Sequence, residues 1–435
     1  MKKRRLIALA AAAVMAAFSL AGCGGSQTSS TTAAGSTAET AAASSNAVSP
    51  DAKSTDQTLG GGIAVGSSDG EAVKGGTLVV SMPSSPRTLD PKAYSTMYEN
   101  HIMYNVLDTL FVWDKDYKEV IPSLATDYTV SDDGLTYTIN LRDDVYFQKG
   151  KFQDGRKMTA DDVVYSLERS KEESTTDRIC RDFFDYCEAA SPTQVVIHMK
   201  SVAGPFISQL AGIGNAILPK EEVEGWGEDF GSHIVGTGAF TLEEIVTDEK
   251  VTLKKNENYW GTEPNVDGIE FISDSNQAIN AVQTGEVDIA MYLQGEAIKR
   301  AQDADLLLQA PSSAVTFVRF NMQNGPTANA DVRKALTMAV DIDSMVAGIY
   351  QYGEGTRAYQ PLPVYSFAYD TAYNDLVPSY DPEGAKKLLA EAGYPDGFTM
   401  SLYIGSTTYR EKMAQMLQYY WSQIGVTLDI KSSTM

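Results

Sequence analysis

The sequence predicts an α/β fold, and three observations carry that reading. The stretch from Asp381 to Ile430 alternates helical and extended periodicity, which implies helices layered on strands. Leu135, Tyr137, Ile139 and Leu141 repeat at period two, the mark of a half-buried strand. The composition, 43% hydrophobic and 21% charged over 435 residues, is globular and leaves room for more than one core.

The elements follow in order. TLVVSM at 77–82 is rich in β-formers. Residues 97–110 carry Ile102, Val106, Leu107 and Leu110 at helical spacing. Thr159 with Asp162 three residues on resembles a capping box ahead of Val163, Val164 and Leu167. Residues 194–199 read as a strand. So do 239–246 and 250–256, joined as a hairpin by Thr247, Asp248 and Glu249. Residues 277–284 form a short helix closed by Gly285, and 287–292 a strand.

Signals sharpen toward the end of the chain. Asp381, Pro382 and Glu383 supply an N-cap, a first-turn proline and an acid at the positive helix end. Ala385, Leu388, Leu389 and Ala392 then make one apolar face, and Gly393 stops the helix. A strand at 398–404, a helix through Met413, Met416, Leu417, Tyr420 and Ile424, and a strand at 426–430 complete the pattern.

The start of the chain has a different character. Lys2, Lys3, Arg4 and Arg5 precede an apolar run over 6–20, then Leu20, Ala21, Gly22 and Cys23. That order is a secretory leader. The last four residues resemble the lipobox of bacterial lipoproteins, which implies cleavage after Gly22 and acylation of Cys23. More than one acyl chain on that cysteine gives stable membrane attachment. Residues 24–74 are rich in Ser, Thr, Ala and Gly and hold no aromatic residue. Such a segment buries too little apolar surface to fold, and reads as a tether reaching about 40 Å.

Charge and motif searches exclude several function classes. Lys+Arg number 35 against 57 Asp+Glu, a net charge of −22, so there is no basic footprint for nucleic acid. No phosphate-binding loop, zinc-protease helix or nucleophile elbow occurs. His101, His198 and His233 stand too far apart for metal-ligand spacing, so no metal and no cofactor is expected. Asp132/Asp133 and Asp161/Asp162 read as solvated turn and helix ends, and Gly236-Thr237-Gly238 as a turn. Cys180 and Cys187 on one helix would lie about 10.5 Å apart, beyond disulfide reach. A bridge therefore needs a non-helical stretch, and free and bridged states both stay open.

Several blocks together resemble extracellular solute-binding proteins of family 5, the dipeptide- and oligopeptide-binding components of ABC importers. They are GGTLVVSMPSSPRTLDP, then PSLATDYTVSDDGLTYTINLRDDVYFQKGKFQDGRKMTADDVVYSLER, then GTGAFTLEEI with NENYWGTEPNVDGIEF. GEVDIA, FNMQNGP, DVRKALTMAVDIDSM and YDPEGAKKLLAEAGYPDGF with IGVTLDI complete the set. The resemblance implies a two-lobed periplasmic-binding-protein-like fold of type II. Lobe I would cover 75–314, with an extra α+β subdomain at about 97–191, and lobe II would cover 315–435. The crossover would fall near 311–316. Family members continue past the IGVTLDI strand, so lobe II reads as incomplete and the C-terminal part as truncated.

The resemblance also implies the activity. The chain would capture a peptide between its lobes, close on a hinge and deliver it to the transmembrane subunits of an ABC permease. It would catalyse nothing, and would act as a monomer held by Cys23 on the extracytoplasmic face of the membrane, on a Gram-positive surface rather than in a periplasm. Three segments are expected at the ligand: Tyr94, Thr96, Met97 and Tyr98; Asn321 and Met322; Arg357, Tyr359 and Gln360. Arg357 is suited to a ligand carboxylate, which a guanidinium takes through two parallel bonds. Competing readings are a metal chelate or an oligosaccharide as solute, and a lipid-anchored enzyme or adhesin.

Overall fold

The computed structural model describes residues 74–114, 118–175, 177–273, 278–309, 314–363, 366 and 369–433. The leader, Cys23 and the tether up to residue 73 lie outside the described residues, as do 311–313 of the expected crossover. The chain forms two compact units that divide between Leu293 and Gln294.

In unit 1 the elements run β1 (Thr77–Met82), α1 (Met97–Val106), β2 (Phe111–Trp113), β3 (Val120–Pro122), β4 (Ala125–Val130) and β5 (Thr136–Leu141). Next come α2 (Ala160–Glu173), α3 (Arg178–Phe183), β6 (Phe184–Ser191), β7 (Gln194–Met199) and α4 (Lys220–Trp226). The unit closes with β8 (Phe240–Val246), β9 (Lys250–Lys255), β10 (Gly268–Ser273), α5 (Ala278–Thr284) and β11 (Ile289–Ala290).

Two sheets result. The first has the order β11-β1-β10-β9-β8. Strand β1 runs parallel to β10 and β11, while β10, β9 and β8 are antiparallel. Leu78, Val80 and Met82 on β1 are buried with Ile102, Met103 and Val106 of α1 and with Phe271. Each such side chain contributes about 1.5–3 kcal/mol relative to exposure. The second sheet, β4-β5-β7-β6, is antiparallel. Its alternating inner face (Tyr137, Ile139, Leu141, Val195, Ile197, Met199) packs with Val163 and Leu167 of α2 in a separate core. That core draws on residues from Leu110 to Ile217. Strands alternating in this way bury one face and leave the other to water.

Unit 2 holds α6 (Glu296–Asp303), α7 (Ala330–Met338), α8 (Ile342–Ile349), α9 (Pro382–Glu391), β12 (Phe398–Gly405), α10 (Thr408–Ser422) and β13 (Val426–Ser433). Strands β12 and β13 pair in parallel, Phe398 opposite Val426. A parallel pair needs a crossover, and α10 supplies it. Leu336, Leu389, Leu417, Trp421, Val426 and Leu428 form the core.

Two elements end earlier than their periodicity predicts. Helix α1 stops at Val106 instead of 110, because tertiary donors satisfy its last carbonyl. Gly238 N–H reaches Val106 O at 3.0 Å and Gln148 Nε2 at 3.1 Å. The strand expected over 287–292 shrinks to Ile289–Ala290, and Tyr292 adopts φ +58°. The cysteine alternatives resolve as well: Cys180 lies in α3, Cys187 in β6, and both are buried free thiols. Burial pushes the Cys187 thiol up to about 12.

Candidate ligand-binding surfaces

In unit 1 the three parallel strands β10, β1 and β11 end at one edge of the sheet, the place where open α/β sheets take ligands. The loop after β1 is pinned there by a buried carboxylate. Glu99 Oε1 accepts Arg87 N–H at 3.0 Å, and Oε2 accepts Ser95 N–H at 2.6 Å and Thr96 N–H at 2.7 Å. Thr96 is the N-cap of α1, so its hydroxyl serves the helix. Tyr94 is half-buried against the core, and Met97 is 52% exposed.

Tyr98 packs edge-on against Tyr292 with ring centroids 5.5 Å apart. The Tyr292 hydroxyl bonds His101 Nε2. Burial lowers the His101 pKa to about 4, so the ring is neutral at physiological pH. Burial likewise raises Tyr292 to about 12, and raises Tyr98. The result is an aromatic, uncharged wall that offers apolar contact and hydroxyl hydrogen bonds. Tyr292 and His101 escaped the sequence reading. One sits past the last paired residue of a strand, and the other passes for an ordinary helix residue.

In unit 2 the expected residues separate. The Asn321 side chain is spent locally: Oδ1 accepts Gln323 N–H at 2.9 Å and Nδ2 donates to Asn324 at 2.9 Å. Met322 is 68% exposed. Gln360 Nε2 donates to Asp370 O at 2.9 Å and Asn374 Oδ1 at 3.1 Å. Arg357 and Tyr359 come together, with the guanidinium carbon 4.5 Å from the ring centroid. Both line a cavity of about 430 Å³ with Asp343 and Asn374. Asn321, Met322 and Gln360 are not among its walls.

A larger groove of about 620 Å³ runs along α2 in unit 1, lined by residues such as Lys92, Glu168, Arg169 and Glu173. It contains none of the expected ligand residues. Much of its charge is already paired, Lys92 with Glu173 at 2.9 Å and Arg169 with Asp90 at 2.7 Å. Among the described residues no group of three or more His, Cys, Asp or Glu is placed to hold a metal.

The sequence profile of bacterial extracellular solute-binding proteins, family 5 Middle, matches residues 119–434. The chain belongs to that family. It is 30% identical over 391 residues to a dipeptide-binding protein of Escherichia coli K12, covering 82% of this chain and 72% of that protein. It is 34% identical over 361 residues to a glutathione-binding protein of Salmonella typhimurium, covering 80% and 68%. Its fold matches an ABC transporter-associated periplasmic binding protein from Helicobacter pylori in complex with the peptide STSA. The TM-score is 0.71 at 25% identity, covering 83% of this chain and 75% of that one. This family 5 chain therefore has the type II periplasmic-binding-protein fold, an α/β architecture carrying the additional antiparallel sheet described above. No helix among the described residues is long and apolar enough to cross a membrane.

Proposed function

We propose that this chain is the peptide receptor of an ABC importer, capturing di- to oligopeptides between its two lobes and handing them to the permease. The observation that carries the reading is the match, over four-fifths of the chain, to relatives named for dipeptide and glutathione binding and to a fold solved with a peptide. The aromatic edge of unit 1 and the Arg357 cavity of unit 2 supply the chemistry a peptide needs: flat apolar contact, hydroxyl groups and a cation. In this reading Tyr94, Met97, Tyr98 and Tyr292 face ligand in the first unit, Arg357 and Tyr359 in the second. Thr96, Asn321 and Gln360 shape the loops that carry them, and Met322 lies on the exposed loop beside Asn321.

The same reading makes the chain a non-catalytic monomer anchored through acylated Cys23. The leader and lipobox residues support the anchor, and the tether supports a Gram-positive surface. Lobe boundaries at 75–314 and 315–435 belong to this proposal. So does the subdomain placed at about 97–191: the separate core drawn from Leu110 to Ile217 supports its later part, while Ile102, Met103 and Val106 of α1 pack in the other core.

Native mass spectrometry of the chain from Gly24 onward tests the reading. A folded species carrying a few hundred daltons of heterogeneous mass, released as peptides on denaturation, is the expected result. A folded species that stays bare through incubation with a mixed peptide digest would overturn it.

A further inference from the structure

The sequence holds a single Asn-Gly pair, Asn324-Gly325, in the loop that leads into α7. Both residues are exposed. Gly325 adopts φ +73°, and a Cβ there would meet nothing within 4 Å, so the approach to its nitrogen is open. Among the described residues the peptide group joining the two makes no hydrogen bond, at neither Asn324 O nor Gly325 N–H. The flanks of the loop are fixed instead. Thr327 Oγ1 donates to Asn321 O at 2.7 Å, and Ala328 N–H donates to Gly325 O at 3.1 Å. Arg333 Nη1 on α7 donates to Thr327 O and to Ala328 O, each at 2.9 Å. One free peptide group thus sits inside an anchored turn.

The Asn324 side chain is polarised by its neighbour. Asn321 Nδ2 donates to Asn324 Oδ1 at 2.9 Å, and Gln323 N–H donates to Asn321 Oδ1 at 2.9 Å. The second bond holds the first donor in place. A donor on Oδ1 draws charge from Cγ and stabilises the negative oxygen that forms when a nucleophile adds there. The nitrogen of the next residue is that nucleophile, and glycine brings no Cβ to hinder ring closure.

We propose that Asn324 is a self-modification site, at which the folded chain converts to isoaspartate and aspartate through a cyclic imide. Hydroxide takes the Gly325 N–H proton, and the nitrogen bonds to Asn324 Cγ. The Cγ–Nδ2 bond then breaks, and Nδ2 takes a proton from water and leaves as ammonia. Water opens the imide at one of its two carbonyls. Attack at Cγ gives aspartate; attack at the main-chain carbon gives isoaspartate, whose backbone runs through the former side chain. The net change consumes one water and releases one ammonia. Either product carries a carboxylate that is ionised at pH 7. Isoaspartate also adds a methylene to the backbone two residues after Met322, so the loop changes with the age of the molecule.

Peptide mapping by mass spectrometry tests this on the full folded chain, sampled during incubation in mildly alkaline buffer. Electron-transfer fragmentation distinguishes isoaspartate from aspartate. Amide-to-acid exchange at Asn324 should run at least about tenfold faster than at any other asparagine, because each of the others precedes a residue with a side chain. Isoaspartate should be present among the products. Exchange no faster than elsewhere overturns the site, and aspartate without isoaspartate overturns the imide route. The same chain unfolded in guanidinium gives the local rate without the Asn321 bond. The folded rate should match or exceed it, and a lower folded rate overturns the priming by the turn. Asn321→Asp keeps the acceptor for Gln323 N–H but removes the donor to Asn324, and should slow the exchange at least about threefold. An unchanged rate removes Asn321 from the proposal. The wild-type comparisons need no variant, so a substitution that disturbs the loop does not shelter it.

Discussion

Arg169 and Asp90 form a buried two-bond ion pair, Nη1 to Oδ1 at 2.9 Å and Nη2 to Oδ2 at 2.7 Å. Their side chains are 7% and 6% exposed. The pair ties helix α2, which packs on the second sheet, to the loop that leads into Tyr94–Tyr98. Removing one partner strands a buried charge. Arg169→Ala should therefore destabilise unit 1 by about 3–5 kcal/mol, measured by chemical denaturation. Replacing both partners with apolar residues of similar volume should cost much less, because no charge is left unpaired.

Asp108 offers a sharper comparison. Its Oδ2 alone accepts both Thr237 Oγ1 at 2.8 Å and Trp260 Nε1 at 2.9 Å. Burial raises its pKa, and the two hydrogen bonds oppose that rise. Asp108→Asn keeps an oxygen for both donors and removes the buried charge, so stability at pH 7 should hold or improve. Asp108→Ala orphans the indole and the hydroxyl and should cost about 1–3 kcal/mol in the same denaturation assay.

His101 predicts a pH dependence. Its folded pKa, about 4, lies below the unfolded value of 6.5. Between those values the unfolded chain binds a proton that the folded chain does not, so stability rises with pH across that window. On acidification from pH 6.5, the His101 contribution should fall by up to ~1.4 kcal/mol per pH unit and level off below pH 4. His101→Gln should flatten that segment of the stability profile, and an unchanged slope would count against the assignment.

Gly238 sits under the end of α1. A Cβ there would lie 2.6 Å from Val106 C and 2.7 Å from Asn105 O, both backbone atoms that cannot swing aside. Gly238→Ala should cost at least about 1–3 kcal/mol, read as a lowered Tm. Gly204→Ala meets nothing within 4 Å and serves as the control.

Much of the fold was legible because its signals are local. Thr77–Met82 and Gln194–Met199 appear as strands with the expected bounds. Asp381 caps α9 by accepting Gly384 N–H at 2.8 Å, as the Asp-Pro-Glu run implies. Asp162 closes the start of α2, its carboxylate accepting Thr159 N–H at 2.8 Å. The candidate site was legible only in part. Arg357 and Tyr359, two of the residues expected at the ligand, lie together in unit 2. Asn321, expected there too, has a side chain that closes its own turn. Nothing in a run of letters says whether a polar side chain will find its partner two residues away or across a cavity.

The sequence by itself determined the best-patterned elements, such as β1, β7 and α9, the leader-like start and the family, because periodicity, capping and motif order are properties of neighbours along the chain. Tertiary structure alone decided which residues enter each of the two cores of unit 1, and that α1 ends where Gln148 and Gly238 reach its last carbonyl. It also decided that His101 and Tyr292, 191 positions apart, share a hydrogen bond. Such contacts depend on long-range closure of the chain, and burial then sets the charge states that no local pattern encodes.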